Sequence, residues 1–136
     1  VISTPQKIAL NDARKGVSMF KKENINVPVL GIIENMAYFT PKELPENKYY
    51  LFGKEGAKNL SLDLRIPFLG EIPIIQSVRE AADFGRPAAM QESTISEEIF
   101  KKVSKNMLSQ LLIRNKELPE TEIVKITTMS GCISQK

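Results

Sequence analysis

The sequence predicts an α/β fold built on a parallel sheet flanked by helices, and three observations carry that expectation. The run Val27–Ile33 is apolar except for Pro28 and Gly31, the near-continuous hydrophobicity of a strand covered on both faces. A second run, Ile66–Ile72, shares its form of proline, two apolar residues and glycine, as Pro28 to Gly31 and again as Pro67 to Gly70. Around these runs lie segments with apolar residues at helical spacing, so the order reads strand, helix, strand, helix, strand. In open sheets of this kind ligands bind beyond the carboxyl ends of the strands. Glu34-Asn35 after the first run and Pro73 after the second are therefore the places to look for function.

Taken in order, Val1-Ile2 reads as the end of a strand, which places the start of the chain in mid-fold. Ser3-Thr4-Pro5 then supplies a cap residue and a helix-starting proline. From Pro5 to about Glu23 the set Ala9, Ala13, Val17 and Phe20 recurs at spacings of four, four and three, the stripe of a helix lying on a sheet. A strand over residues 27–34 follows. Next comes a loop from Met36 to Phe52 containing Pro41, Pro45, Tyr38, Phe39, Tyr49 and Tyr50, of a length that is usually functional or an interaction surface. A short helix from about Lys54 to Leu64 leads to the strand at 66–71. Ser77 to about Phe84 reads as a helix closed by Gly85. The last helix starts at Thr94, which forms a capping-box pattern with Glu97. Its two apolar rows, Ile95, Ile99, Val103, Met107 and Leu111, and Phe100, Leu108 and Leu112, predict a broad buried face. Residues 1–118 form the domain; 119–136 are a polar tail with one β-like run, Ile123 to Thr127.

The bulk numbers exclude several classes. At 136 residues and 42% hydrophobic content the chain is one globular domain. Its 19 basic and 16 acidic residues leave a net charge of +3, but the lysines are scattered, against a nucleic-acid footprint. The one cysteine, Cys132, excludes an intrachain disulfide framework and fits a reducing cytoplasm. No apolar run is long enough for a membrane span. With no histidine, a hydrolytic triad or an ordinary zinc site lacks its usual base and ligand.

A phosphate cradle of the P-loop kind is absent. Gly53-Lys54 is followed by Glu55 where a hydroxyl is needed, and Lys48 stands at the place of the first glycine. Two readings fit Asn35: an amide at a strand end that donates and accepts toward the N6 and N7 edge of adenine, or a simple turn cap. Pro73 likewise either turns backbone groups toward a base or ends its strand. Met36, Tyr38 and Phe39 read most simply as a loop tucked onto the core.

The succession STPQKIALNDARKG, VPVLGIIENMAYF, FGKEGAKNL and IPFLGEIPIIQSVREAADFGRPAA closely resembles the Mrp/ApbC family, MinD-like P-loop ATPases that act as iron–sulfur cluster carriers. The resemblance covers residues 1 to about 115. It implies the C-terminal half of a P-loop NTPase fold of the MinD/Mrp kind, with Walker A loop and Mg-binding residues in a preceding half. It further implies ATP and Mg as ligands of the full-length protein, a homodimer, iron–sulfur client proteins, and an adenine pocket lined by Asn35 and the backbone around Ile72 and Pro73. The chain alone supplies no catalytic and no metal-binding residue and should not hydrolyse ATP. No nucleic acid and no membrane is expected as a partner.

Many members carry a Cys-x-x-Cys pair shortly after the ENM turn, two cysteines from each subunit holding a bridging cluster. Here that place reads Thr40-Pro41-Lys42-Glu43, so this loop cannot ligate a cluster in that manner. Two other functions stay open. One is a non-enzymatic interaction module using the aromatic loop 38–50. The other is a MinD-like regulator at a membrane, against which stand the mixed charges of the final helix and a buried face accounted for by packing.

Overall fold

A computed structural model describes residues 1–120. The run Ile123–Thr127 and Cys132 lie outside the described residues. The elements are β1 (Ile2–Ser3), α1 (Lys7–Phe20), β2 (Ile32–Phe39), α2 (Gly56–Leu64), β3 (Phe68–Ile74), α3 (Gln76–Asp83), a 3-10 turn (Ala88–Met90) and α4 (Ile95–Glu117). The strands form one parallel sheet in the order β1-β2-β3, the expected alternation and sheet type.

One core forms where α1 and α2 lie on the sheet. Ala13 and Val17 of α1 meet Ile32 of β2, Ala57 and Leu60 of α2, and Ile66 just ahead of β3. The stripe at spacings of four is thus what α1 buries, although the helix begins after Pro5, with Gln6 rather than Ser3 or Thr4 in the cap position. Gly56 lets α2 start against the β1–α1 turn, because a Cβ there would stand 2.5 Å from the Pro5 carbonyl oxygen.

The first strand differs from expectation. It runs from Ile32 to Phe39, not from Val27 to Glu34, and Met36–Phe39 belong to it rather than to the loop. Val27–Leu30 are only half-buried, and Val29 packs against the core without joining a strand. Hydrophobicity here marks burial, whereas the ladder is set by where β1 and β3 offer partners: Ile33 N–H donates to Val1 O and Ile32 N–H to Pro67 O, each at 2.9 Å. The third strand is displaced likewise, to Phe68–Ile74, which puts Pro73 inside it and buried.

Both β2–β3 irregularities have residue-level causes. Ile32 pairs with Phe68 but Ile33 with Gly70, so Leu69 is the extra residue of a bulge. Gly70 takes φ +145°, and a Cβ on it would lie 2.9 Å from Val103 Cγ2 of α4. The bulge frees the Leu69 carbonyl, which accepts from Asn106 Nδ2 of α4 at 2.8 Å. Further along, Asn35 pairs with Ile72 and Phe39 with Ile74. The extra residues of β2 begin at Met36, whose φ is 57°, opposite Pro73, which has no N–H for the ladder.

The capping box at the start of α4 is present. Thr94 Oγ1 accepts from the Glu97 N–H at 3.2 Å, and Glu97 Oε2 accepts from the Ser93 N–H at 2.9 Å. Gly85 ends α3 as expected: at φ 66° it donates to Ala82 O while Arg86 N–H reaches Ala81 O. The broad buried face of α4 is corrected. Val103 is buried, but Ile95, Met107, Leu108 and Leu112 are exposed, because α4 packs mainly on β3 and the 3-10 turn. Packing within the described residues therefore does not account for that face, contrary to the argument set against a membrane regulator. None of the described helices is long and apolar enough to cross a membrane.

Candidate functional site

The carboxyl ends of β2 and β3 carry the residues singled out in the sequence. Asn35 and Ile72 are direct neighbours in register, with Pro73 next along β3. Side chains alternate along a strand. Asn35 thus shares a sheet face with Ile33, and Ile72 with Gly70, whose Cβ position points at Val103 of α4. Asn35 Oδ1 accepts from the Met36 N–H at 3.0 Å, a local bond that supports the left-handed Met36. Among the described residues its Nδ2 has no protein partner, so the side chain is at once a turn support and a free donor. Both readings of Asn35 are compatible with this geometry.

Glu34, which the sequence marks only as part of the Glu34-Asn35 strand end with no role of its own, is buried and hydrogen-bonded here. Its side chain faces the α1/α2 side, its residue is 1% exposed, and its Oε2 accepts from the Ala57 N–H at 2.6 Å. A carboxylate placed on the first-turn N–H groups of α2 satisfies orphan donors and meets the positive end of the helix dipole. Burial pushes the Glu34 carboxyl above its ordinary range against the pull of the Ala57 and Lys58 N–H groups, and nearby Glu71 and Glu55 push the same way. The signal for it was available: a charged residue within a strand buried on that face needs a donor. Since Glu34 fills the α2 N-terminus, the Gly53-Lys54 loop ahead of it has no free helix end to offer a phosphate.

Beyond Asn35, Tyr38 lies edge-on to Tyr50, with ring centroids 6.3 Å apart at 64°. Lys48 Nζ sits 4.0 Å from the Tyr38 ring centroid and 3.8 Å from Glu71 Oε1 of β3. Phe39 and Tyr49 exchange two backbone hydrogen bonds of 2.8 Å, closing the loop between them. Tyr38 is therefore engaged within its own chain, while Phe39, Tyr49, Tyr50 and Leu51 remain exposed. The groove between α3, the 3-10 turn and α4, lined by Val78, Ala82, Pro87 and Phe100, involves neither Asn35 nor Ile72.

The family model described as ParA, NUBPL iron-transfer P-loop NTPase, matches residues 1–108. The chain belongs to this family. It is similar to the iron-sulfur cluster transfer protein NUBPL of Dictyostelium discoideum, 42% identical over 118 residues that make up 86% of this chain and 36% of that protein. The NUBPL protein of Mus musculus is 39% identical over 120 residues, 88% of this chain and 36% of the relative. The iron-sulfur cluster carrier protein of Synechocystis is 42% identical over 92 residues, 68% and 26% of the two chains. The chain thus spans between about a quarter and somewhat over a third of these relatives' length. Among solved structures, a nucleotide-binding protein from Archaeoglobus fulgidus in complex with ADP is similar with a TM-score of 0.53 and 35% identity, over 62% of this chain and 35% of that one. The NUBPL-family fold and the resemblance drawn from the ENM and GEIP segments agree.

Proposed function

We propose that this NUBPL-family chain supplies the base-binding side of the nucleotide site in a longer ATP-binding protein that serves iron–sulfur cluster transfer. The observation that carries the proposal is the pairing of Asn35 with Ile72 at the carboxyl ends of adjacent parallel strands, where open α/β sheets bind ligands, with the Asn35 Nδ2 left as a free donor. Asn35 offers that donor to a ring nitrogen of the base, and the β3 backbone at Ile72 and Pro73 forms the opposing wall. On the phosphate side, the start of α2 is filled by Glu34, and no P-loop pattern occurs in the sequence. Phosphate and Mg binding therefore fall to a preceding part of the longer protein, and the chain alone turns over no ATP. The homodimer implied by the family resemblance and the iron–sulfur clients suggested by the relatives' names belong to the same proposal, with exposed Phe39 and Tyr49 as candidate contact residues.

The test is Asn35→Ala in the full-length protein. Leaving the base without its donor costs about 1–3 kcal/mol, so ATP binding should weaken roughly 5-fold to 150-fold. Unchanged ATP affinity in a mutant of unchanged stability would reduce Asn35 to a turn support and remove the basis of the proposal.

A further inference from the structure

We infer that residues 39–50 of this protein are a self-closed latch and not a ligand loop, so that this chain, alone or as two copies, provides no binding site for an iron–sulfur cluster. The donor chemistry is the first ground. Such clusters are held by about four thiolates, and the whole chain has one cysteine, Cys132, and no histidine. Two copies would bring half a ligand set. Among the described residues no group of three or more Cys, Asp or Glu side chains is arranged to hold a metal.

The second ground is what the segment does instead. Its base is fastened by the paired backbone bonds of Phe39 and Tyr49. Inside, Leu44 N–H bonds to Pro41 O at 3.2 Å and Asn47 N–H to Leu44 O at 3.0 Å, so the interior is two successive turns. Lys48 then locks the segment to the sheet, its ammonium lying over the Tyr38 ring and against the Glu71 carboxylate, while Tyr50 closes on the edge of Tyr38. These backbone bonds, the Lys48 contacts and the Tyr38–Tyr50 pair tie the segment to its own sheet. Positions 40 and 43, where the resemblance places a cysteine pair, carry a half-buried threonine and an exposed glutamate on the first turn. A hydroxyl and a carboxylate, with Lys42 between them, are poor donors for a thiophilic cluster.

This inference stands apart from the nucleotide reading. The full-length protein, its Cys132→Ser variant and its Thr40→Ala, Glu43→Ala double variant are reconstituted anaerobically with ferrous iron and sulfide and desalted. Iron and acid-labile sulfide per chain and the absorption spectrum are then measured, with ATP affinity determined on the same samples. The expected result is the same iron and sulfide content in all three, whatever that content is. A fall in either variant would show that this chain does contribute to a cluster site and would overturn the inference. Loss of ATP binding by the wild-type protein would count against the nucleotide reading alone.

Discussion

The two faces of the sheet differ in how completely they are covered. On one, α1 and α2 close over Ile32 and Glu34, which are 0% and 1% exposed, and Glu34 has its partner in the Ala57 N–H. On the other, α4 packs on β3 through Val103 and Asn106. It leaves Ile2 of β1 64% exposed, although Ile2 pairs in register with Ile33. The spacing of strands explains the difference: β1 lies two strand separations from β3, about 10 Å, beyond the cover of a helix seated over β3. Apolar residues on the first face report contacts made within the chain. Those on the second, and the outer rows of α4, report surface that the described residues leave open.

The largest expected effect tests the covered face. Leu60→Ala, at a residue 3% exposed, should cost about 2–5 kcal/mol of unfolding free energy. Leu112→Ala on the outer row of α4 should stay within about 0.5 kcal/mol. Chemical denaturation of the full-length protein compares them. A cost above about 1 kcal/mol for Leu112→Ala would mean that another part of that protein covers α4, and the contrast between the faces would then belong to this chain alone.

Next in size is Glu34. Glu34→Ala strands the first-turn N–H groups of α2 and should cost about 1–3 kcal/mol. Its pH dependence sharpens the point, because burial raises the folded-state pKa above the ordinary 4.5. The folded chain then holds this proton more tightly than the unfolded chain. The contribution of Glu34 is accordingly most favourable below pH 4.5 and declines as pH rises through the raised folded value. Unfolding midpoints measured across this range should show that decline in the wild type and lose it in Glu34→Gln, which cannot titrate. An identical pH profile for the two would contradict the assignment.

The smallest effect probes the partly covered face. Asn106→Ala removes the bond to the carbonyl freed by the β3 bulge and should cost about 0.5–1.5 kcal/mol. Hydrogen exchange should rise locally at the α4–β3 contact and not in α1 or α2. Faster exchange throughout the chain would mean that α4 holds the whole fold together, and the two faces would not be separable.

Local chemistry made much of this protein legible from its residues. The alternation of strands and helices, the Thr94–Glu97 helix start, the Gly85 stop, the α1 stripe and the lack of a phosphate loop or thiolate set all depend on neighbours a few positions apart, as did the segments that resemble the Mrp/ApbC family. Only the tertiary structure decided which part of each apolar run carries the ladder. Val27–Gly31 and Ile32–Phe39 are both plausible strands until β1 and β3 supply partners for one of them. It also decided that Glu34 serves α2 across the core while its neighbour Asn35 lies on the other face, its Oδ1 bonded to the Met36 N–H, and that the regular rows of α4 lie largely in the open. Hydrogen-bond register and cover are settled by elements distant in sequence, whereas periodicity records only which side of an element would be buried if something lay against it.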